Sequence, residues 1–220
     1  MSRRKQMPRQ PNHDSSNLLP ITVLIAAKDE RANIETCLDS LSSMSRIVLL
    51  DSHSQDGTAE IAQQRGIEVV QFDYSGGYPK KRQWALDQVP ISTPWVLLLD
   101  ADESLTPALV KEIAMAIESN AASDAYLICK GFHFLHRKFR FGGFSHSAVL
   151  LFKTGKARFE CLLEDDPNAL DMEVHERLIV DDTIGTLRNP LIHRDYKGLE
   201  AYVDRHNKYS TWEARVRARY

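Results

Sequence analysis

Three acidic clusters follow three apolar runs: Lys28-Asp29-Glu30 after ITVLIAA, Asp51-Ser52-His53-Ser54 after RIVLL, and Asp100-Ala101-Asp102-Glu103 after WVLLL. One such cluster alone would be a turn or helix-cap motif, the reading we give Asp56 and Glu103. Three of them describe a sheet edge lined with carboxylates, which repels an anionic ligand unless a divalent cation lies between. Mg²⁺ and Mn²⁺ take oxygen ligands from one or two carboxylates plus substrate phosphates, so the pattern points to a metal-bridged diphosphate. Cations suited to such a ligand stand at Lys80, Lys81 and Arg82, just after SGGYP; for each the alternative is a solvent-facing helix charge. Neither GxGxxG nor the P-loop pattern occurs, which disfavours dinucleotide and P-loop chemistry.

These residues need elements to position them. Ile21 to Ala27 is a short apolar run without polar alternation, as expected of a strand buried on both faces of a parallel sheet. A helix over Arg31 to Ser43 and a strand over Arg46 to Leu50 follow. Asp56-Gly57-Thr58 opens a second helix, Ala59 to Arg65, which Gly66 stops before a strand at Glu68 to Phe72. Lys80 to Gln88 reads as a helix, Trp95 to Leu99 as a fourth strand, and Pro107 as the first residue of another helix. The alternation predicts an α/β fold, a Rossmann-like, mostly parallel sheet with right-handed crossovers and helices on both faces. In such sheets ligands bind beyond the carboxyl ends of the strands, where the acids are. After about Ser123 the pattern changes to short, less regular strands rich in aromatic and basic residues. Gly198 to Tyr220 reads as a helix with Leu199, Tyr202, Val203, His206, Tyr209, Trp212 and Val216 along one face.

At 220 residues and 43% hydrophobic, the chain has material for one well-packed domain. We divide it into a disordered basic tail (1–19), the α/β domain (20–197) and a C-terminal amphipathic basic helix (198–220). A net charge of -2 argues against nucleic acid as a partner. Cys37, Cys129 and Cys161 are far apart and odd in number, which suggests neither a disulfide framework nor a metal site and fits a reducing compartment. The basic start, MSRRKQMPRQPNHDSSN, lacks the apolar core of a secretion signal. No run approaches the roughly 20 apolar residues of a bilayer span. Arg215, Arg217 and Arg219 could meet anionic headgroups for about 1 kcal/mol each; the alternative is a solvated helix face.

In this order, VLIAAKDERANIETCLDSL, IVLLDSHSQDGTAEIA, GGYPKKRQWAL, WVLLLDADE, VHERL and LIHRDYKGLEAYVDRHNKYS resemble the family 2 glycosyltransferases. These have the GT-A fold and transfer a sugar from a nucleotide donor with inversion. The resemblance runs from about Ile21 to Glu213, and the VHE and HRDY segments look like the bacterial branch of lipopolysaccharide core and exopolysaccharide assembly. It implies that Asp51 hydrogen-bonds the base of a UDP-sugar or other nucleotide sugar, with Ala27, Asp29 and Glu30 shaping the pocket for base and ribose. Lys81 and Arg82 would face the diphosphate, Asp100 the ribose or the metal, and Asp102 would bind Mg²⁺ or Mn²⁺ directly. Glu176 of Val174-His175-Glu176 would be the base that activates the hydroxyl of a glycan or lipid-linked acceptor, with Val174, Leu178 and Ile179 as apolar surroundings that raise its pKa. The competing bases are Asp165, Asp166 and Glu173. His193 is either a ligand of the metal or diphosphate or a structural hydrogen-bonding group. A cytoplasmic location follows, with peripheral contact at the inner face of the membrane as an option.

His53 stands where the family more often has a small residue, which leaves the nucleotide's identity open. Two other functions compete: a nucleotidyltransferase, against which KDERANIE speaks because it lacks the glycine-rich loop, and a non-catalytic nucleotide-sugar-binding protein.

Overall fold

The computed structural model describes residues 18–119, 123–135, 137–139, 141, 146–162, 171 and 176–219. The regular winding is there: β1 (Leu19–Ala27), α1 (Arg31–Asp39), β2 (Met44–Asp51), α2 (Thr58–Gln64), β3 (Glu68–Gln71), α3 (Lys81–Gln88) and β4 (Trp95–Asp100). The four strands lie parallel in the order β3-β2-β1-β4. Ile21, Val23, Leu24 and Ile25 of β1 and Val96 to Leu99 of β4 are at most 1% exposed. Complete burial of such side chains, worth about 1.5–3 kcal/mol each, explains why neither strand alternates with polar residues.

The chain steps outward from β1 to β2 to β3, then returns to place β4 on the other side of β1. With right-handed crossovers, α1 and α2 fall on one face and α3 on the other. The strand order therefore reverses between β1 and β4, the point at which open α/β sheets bind ligands. Register aligns the strand ends there, with Ala27 opposite Asp51 and Ala26 opposite Asp100.

Beyond β4 come β5 (Glu103–Ser104), α4 (Pro107–Glu118), β6 (Ala125–Phe134), β7 (Arg137–Lys138), β8 (His146–Lys153), β9 (Ala157–Phe159), β10 (Leu178–Val180), β11 (Ile184–Thr186), β12 (Leu191–Asp195) and α5 (Gly198–Arg219). The sheet continues as β4-β8-β6-β12-β5, with β8 antiparallel to both neighbours and β12 parallel to β6. The expectation of short strands fails for β6, whose ten residues are central to this half. Its sequence reads as irregular because Lys130 and Gly131 interrupt the apolar run, yet Lys130 is buried against acids. Short β5 pairs antiparallel with β12, setting Glu103 opposite His193, and the Arg194 N–H donates to the Asp102 carbonyl at 2.8 Å. This pairing brings a late segment to the end of β4.

Element ends follow local chemistry. Thr106 caps α4 by accepting the Leu109 N–H at 3.1 Å, with Pro107 at the first helical position. Helix α1 ends at Asp39, short of Ser43, where Ser40 turns its hydroxyl onto the Cys37 carbonyl at 2.7 Å. Helix α2 closes in a Schellman motif: the Gly66 N–H donates to Gln63 O at 2.9 Å and the Ile67 N–H to Ala62 O at 3.0 Å, with Gly66 at φ +75°. Gly66→Ala meets no neighbouring atom, so only the left-handed backbone resists it; a loss of about 1 kcal/mol is expected in urea unfolding.

Candidate active site

The loops after β1 and β2 are stitched together by their own acids. Asp29, at φ +52°, accepts the Gln55 N–H at 2.8 Å, while its own N–H donates to Ser54 Oγ at 2.9 Å. Buried Asp51 accepts from the Ser54 N–H and from Gln71 Nε2, each at 3.0 Å. Asp56 accepts from the first N–H of both helices, Arg31 at 2.8 Å and Thr58 at 3.0 Å, in keeping with its reading as a cap. His53, at φ +55° and exposed, reaches Asp73 at 2.7 Å.

The end of β4 is held differently. Asp100 is paired with Arg82 and lies 3.4 Å from Lys130 Nζ. Burial opposes its ionisation, but those two cations outweigh it and hold the carboxyl below the usual carboxylate range. Glu103 is not a cap of α4, a role that Thr106 takes. Its side chain is fully buried, 2.6 Å from Lys130 Nζ, and accepts the Asp100 N–H at 3.0 Å. The β5–β12 pairing turns it inward, which its sequence position does not disclose. Burial lowers the Lys130 ammonium's affinity for its proton, and Glu103 and Asp100 more than restore it.

Asp102 behaves as the odd member. One carboxylate oxygen meets His193 Nε2 at 3.2 Å; the other, Oδ1, is buried and has no hydrogen-bond partner among the described residues. Burial draws the His193 imidazole down, but the hydrogen bond and charge of Asp102, with Glu103, push it up to about 9. Glu30 is pushed up by burial first and by the Asp102 charge second, against the pull of Lys197 2.6 Å away. An orphaned oxygen beside a reluctant carboxyl is a setting that a divalent cation would relieve. Among the described residues no three Asp, Glu, His or Cys side chains converge to hold an ion by themselves. Asp102 and His193 would leave the remaining positions to phosphates and water, the usual habit of Mg²⁺.

These groups face one cavity of about 570 Å³. Of the residues expected from sequence, Ala27, Glu30, Lys81, Asp100, Asp102 and His193 line it, whereas Asp29, Asp51, Arg82 and Glu176 do not. The solvent-facing alternative for the basic cluster is wrong: the side chains of Lys80, Lys81 and Arg82 are 3%, 2% and 12% exposed. Helix α3 starts directly beneath the end of β1, where Lys81 Nζ donates to Ala27 O at 3.1 Å. Burial lowers its pKa, against Asp171 at 3.4 Å.

Glu176 is also buried, and its partner is Lys80, whose Nζ lies 3.8 Å from the ring centre of Trp212 on α5. An ion pair thus stands beside this carboxylate, a partner that the sequence did not announce. The competing bases Asp165, Asp166 and Glu173, with Val174 and His175, lie outside the described residues.

Several cavity residues escaped the sequence reading: Asp195, Lys197 and Arg205, together with Lys130 behind Asp100. Asp195 ends a strand too, but His193 and Arg194 separate it from the apolar Leu191-Ile192, so it lacks the signal used elsewhere. Helix α5 does not present the seven residues from Leu199 to Val216 named above as one face. At about 100° per residue, Val203 and Trp212 are separated by roughly half a circumference. Trp212 is accordingly buried, Tyr202 and Tyr209 line the cavity, and Leu199 and Val203 are 62% and 46% exposed.

Comparison with known proteins agrees with this layout. The model for Glycosyl transferase family 2 matches residues 22–166. The chain belongs to that family. Its mostly parallel α/β sheet, reversing at β1 and β4, is the GT-A arrangement expected from sequence. The lipopolysaccharide core biosynthesis glycosyltransferase LpsC of Rhizobium meliloti (strain 1021) is 31% identical over 209 residues, 89% of this family 2 chain and 71% of LpsC. An uncharacterized glycosyltransferase of Rickettsia bellii (strain RML369-C) is 32% identical over 108 residues, 49% of this chain and 35% of that protein. Among solved structures, glucosyl-3-phosphoglycerate synthase from Mycobacterium tuberculosis, in complex with Mn²⁺, UDP and glucosyl-3-phosphoglycerate, has a TM-score of 0.40 at 20% identity, covering 58% of this chain and 50% of that one. The chain thus spans most of LpsC, about a third of the Rickettsia protein and half of the synthase.

Lys130 offsets the charge of two buried acids of this family 2 site. Lys130→Met should therefore lower stability by about 3–5 kcal/mol, and adding Glu103→Gln should recover part of the loss. Urea unfolding of the two variants measures both.

Proposed function

We propose that this chain is an inverting, divalent-metal-dependent glycosyltransferase. It moves a sugar from a UDP-sugar to a glycan or lipid-linked acceptor in bacterial lipopolysaccharide or related surface-polysaccharide synthesis. The observation that carries this reading is Asp102 Oδ1, a buried, unpartnered carboxylate oxygen at the end of β4, in the cavity at the reversal point of the sheet. The likeness to LpsC supplies the pathway.

In this reading Asp102 would hold the ion, with His193 and Asp100 as the other candidate ligands, and a bound cation would offset charge on the departing diphosphate. Lys81 faces the same phosphates from the floor of the cavity. Arg82, engaged with Asp100, acts by fixing that carboxylate. Ala27 leaves room for the nucleoside next to Glu30, while Asp29 keeps the β1 loop in place through Gln55. The role of Asp51 toward the base rests on the family resemblance, since here its oxygens hold the turn after β2. Glu176, held by its ion pair with Lys80, takes the proton of the acceptor hydroxyl. No described helix is long and apolar enough to cross a membrane. Exposed Leu199 and Val203, with Arg215, Arg217 and Arg219 further along α5, suit peripheral contact with an anionic inner-membrane surface from the cytoplasm.

Calorimetric titration with UDP should show binding that needs Mn²⁺ and is lost in Asp102→Ala; equal affinity in EDTA would remove the metal from the account. Glu176→Gln should retain UDP binding and lose transfer by roughly 10²–10⁴-fold, scored as UDP release from a panel of UDP-sugars with a lipid-linked glycan extract. Full transfer by that variant would show that another group is the base.

A further inference from the structure

A chain of rings leads away from the proposed metal site. His193, bonded to Asp102, meets Phe132 edge-on at 5.2 Å between centroids, Phe132 stacks with Phe134 at 6.2 Å, and Phe134 meets Tyr202 of α5 at 5.1 Å. The series continues along the helix, with Tyr202 stacked on His206 at 3.9 Å and His206 5.6 Å from Tyr209. Spacings of four and three residues put Tyr202, His206 and Tyr209 on one face, and all three line the cavity.

A core stripe would be closed over, and this one is not. His206 is exposed, and Tyr202 and Tyr209 are half-buried. Beside the stripe lies Asp195, 1% exposed and paired with Arg205 through Oδ2, while its Oδ1 is buried without a partner among the described residues. An exposed imidazole and two half-buried tyrosines along one cavity wall, beside an unfilled carboxylate acceptor, are matched by a ligand with an apolar C–H face and a rim of hydroxyls. A pyranose has that surface: the C–H face covers a ring while the hydroxyls reach the acceptors.

We propose that Tyr202, His206 and Tyr209, with Asp195, form the platform that seats the sugar end of a glycan acceptor; this rests on the transferase reading above. The extent of the stripe decides between acceptor and donor. From Tyr202 to Tyr209 the helix rises about 10 Å, longer than one pyranose, whereas a nucleotide sugar contributes a single pyranose, its base and ribose being assigned above to the Ala27 and Glu30 side of the cavity. The platform therefore takes two consecutive sugars of the acceptor.

The test is saturation-transfer NMR on the full chain with saturating UDP and Mn²⁺, using methyl glucoside, methyl galactoside, methyl mannoside and the corresponding glucose, galactose and mannose disaccharides as probes. At least one disaccharide should bind more tightly than its methyl glycoside. Tyr202→Leu combined with Tyr209→Leu, apolar changes that preserve packing on Phe134, should weaken that binding at least fivefold. Tyr202→Phe and Tyr209→Phe, which keep the rings, should weaken it less than the leucine pair, and Lys208→Ala on the exposed face should leave it unchanged. Thermal unfolding verifies that the variants are folded. Sugar binding that the leucine pair leaves intact overturns the platform, as does failure of every probe while UDP and Mn²⁺ bind. Displacement of the sugar by UDP and Mn²⁺ would reassign the rings to the donor and overturn the acceptor assignment. If UDP and Mn²⁺ themselves do not bind, the transferase reading falls, and the platform with it.

Discussion

The structure depends on neutralising three acids at the end of one buried strand. Asp100, Asp102 and Glu103 lie within four residues, largely out of water, where like charges at short range repel strongly. Two are compensated by protein cations: Arg82 from α3 and Lys130 from β6 meet Asp100, and Lys130 also meets Glu103. Asp102 meets the His193 imidazole through one oxygen, and its Oδ1 has no hydrogen-bond partner among the described residues. The protein's own cations thus cover the cluster except for one oxygen of Asp102, which is open to whatever the cavity admits.

That division determines what the second half of the chain is for. Strand β6 carries Lys130 under the acids, β12 brings His193 and Asp195 to the same edge, and the residues after it return α5 across the opening. Lys197 ties this return to the first strand, donating to Lys28 O at 3.2 Å and meeting Glu30 at 2.6 Å. Trp212, less than one turn beyond the cavity residue Tyr209, lies against Lys80 and so against the pair that contains Glu176. The last helix is therefore coupled to both the nucleotide side and the acid–base side of the cavity.

How much was legible in the sequence divides along the same line. The four parallel strands and their helices are local facts: an apolar run of strand length, a glycine stop and a proline start each act within a few residues. The strand-end acids were visible for that reason, and Asp102 and His193 do share a cavity. The fate of Glu103 was not visible, because its burial depends on β5 meeting β12 about ninety residues later. Lys130 was hidden by the habit of discounting a lysine inside an apolar strand, and the Lys80–Glu176 pair by a separation of 96 residues. Local pattern carries the sheet; long-range pairing of charges decides what its edge can do.

The in-step ends of β2, β1 and β4 have a metric consequence. Ala27 is level with Asp51 on one side, and Ala26 with Asp100 on the other. Neighbouring strands are about 4.8 Å apart, so the two outer strand ends are separated by about 10 Å, a span set by backbone hydrogen bonds rather than by side-chain rotamers. The sheet works as a caliper whose jaws cannot drift. A molecule that touches both ends is sorted by length before any side chain reads its chemistry, and changing that length would require removing a strand rather than altering a residue.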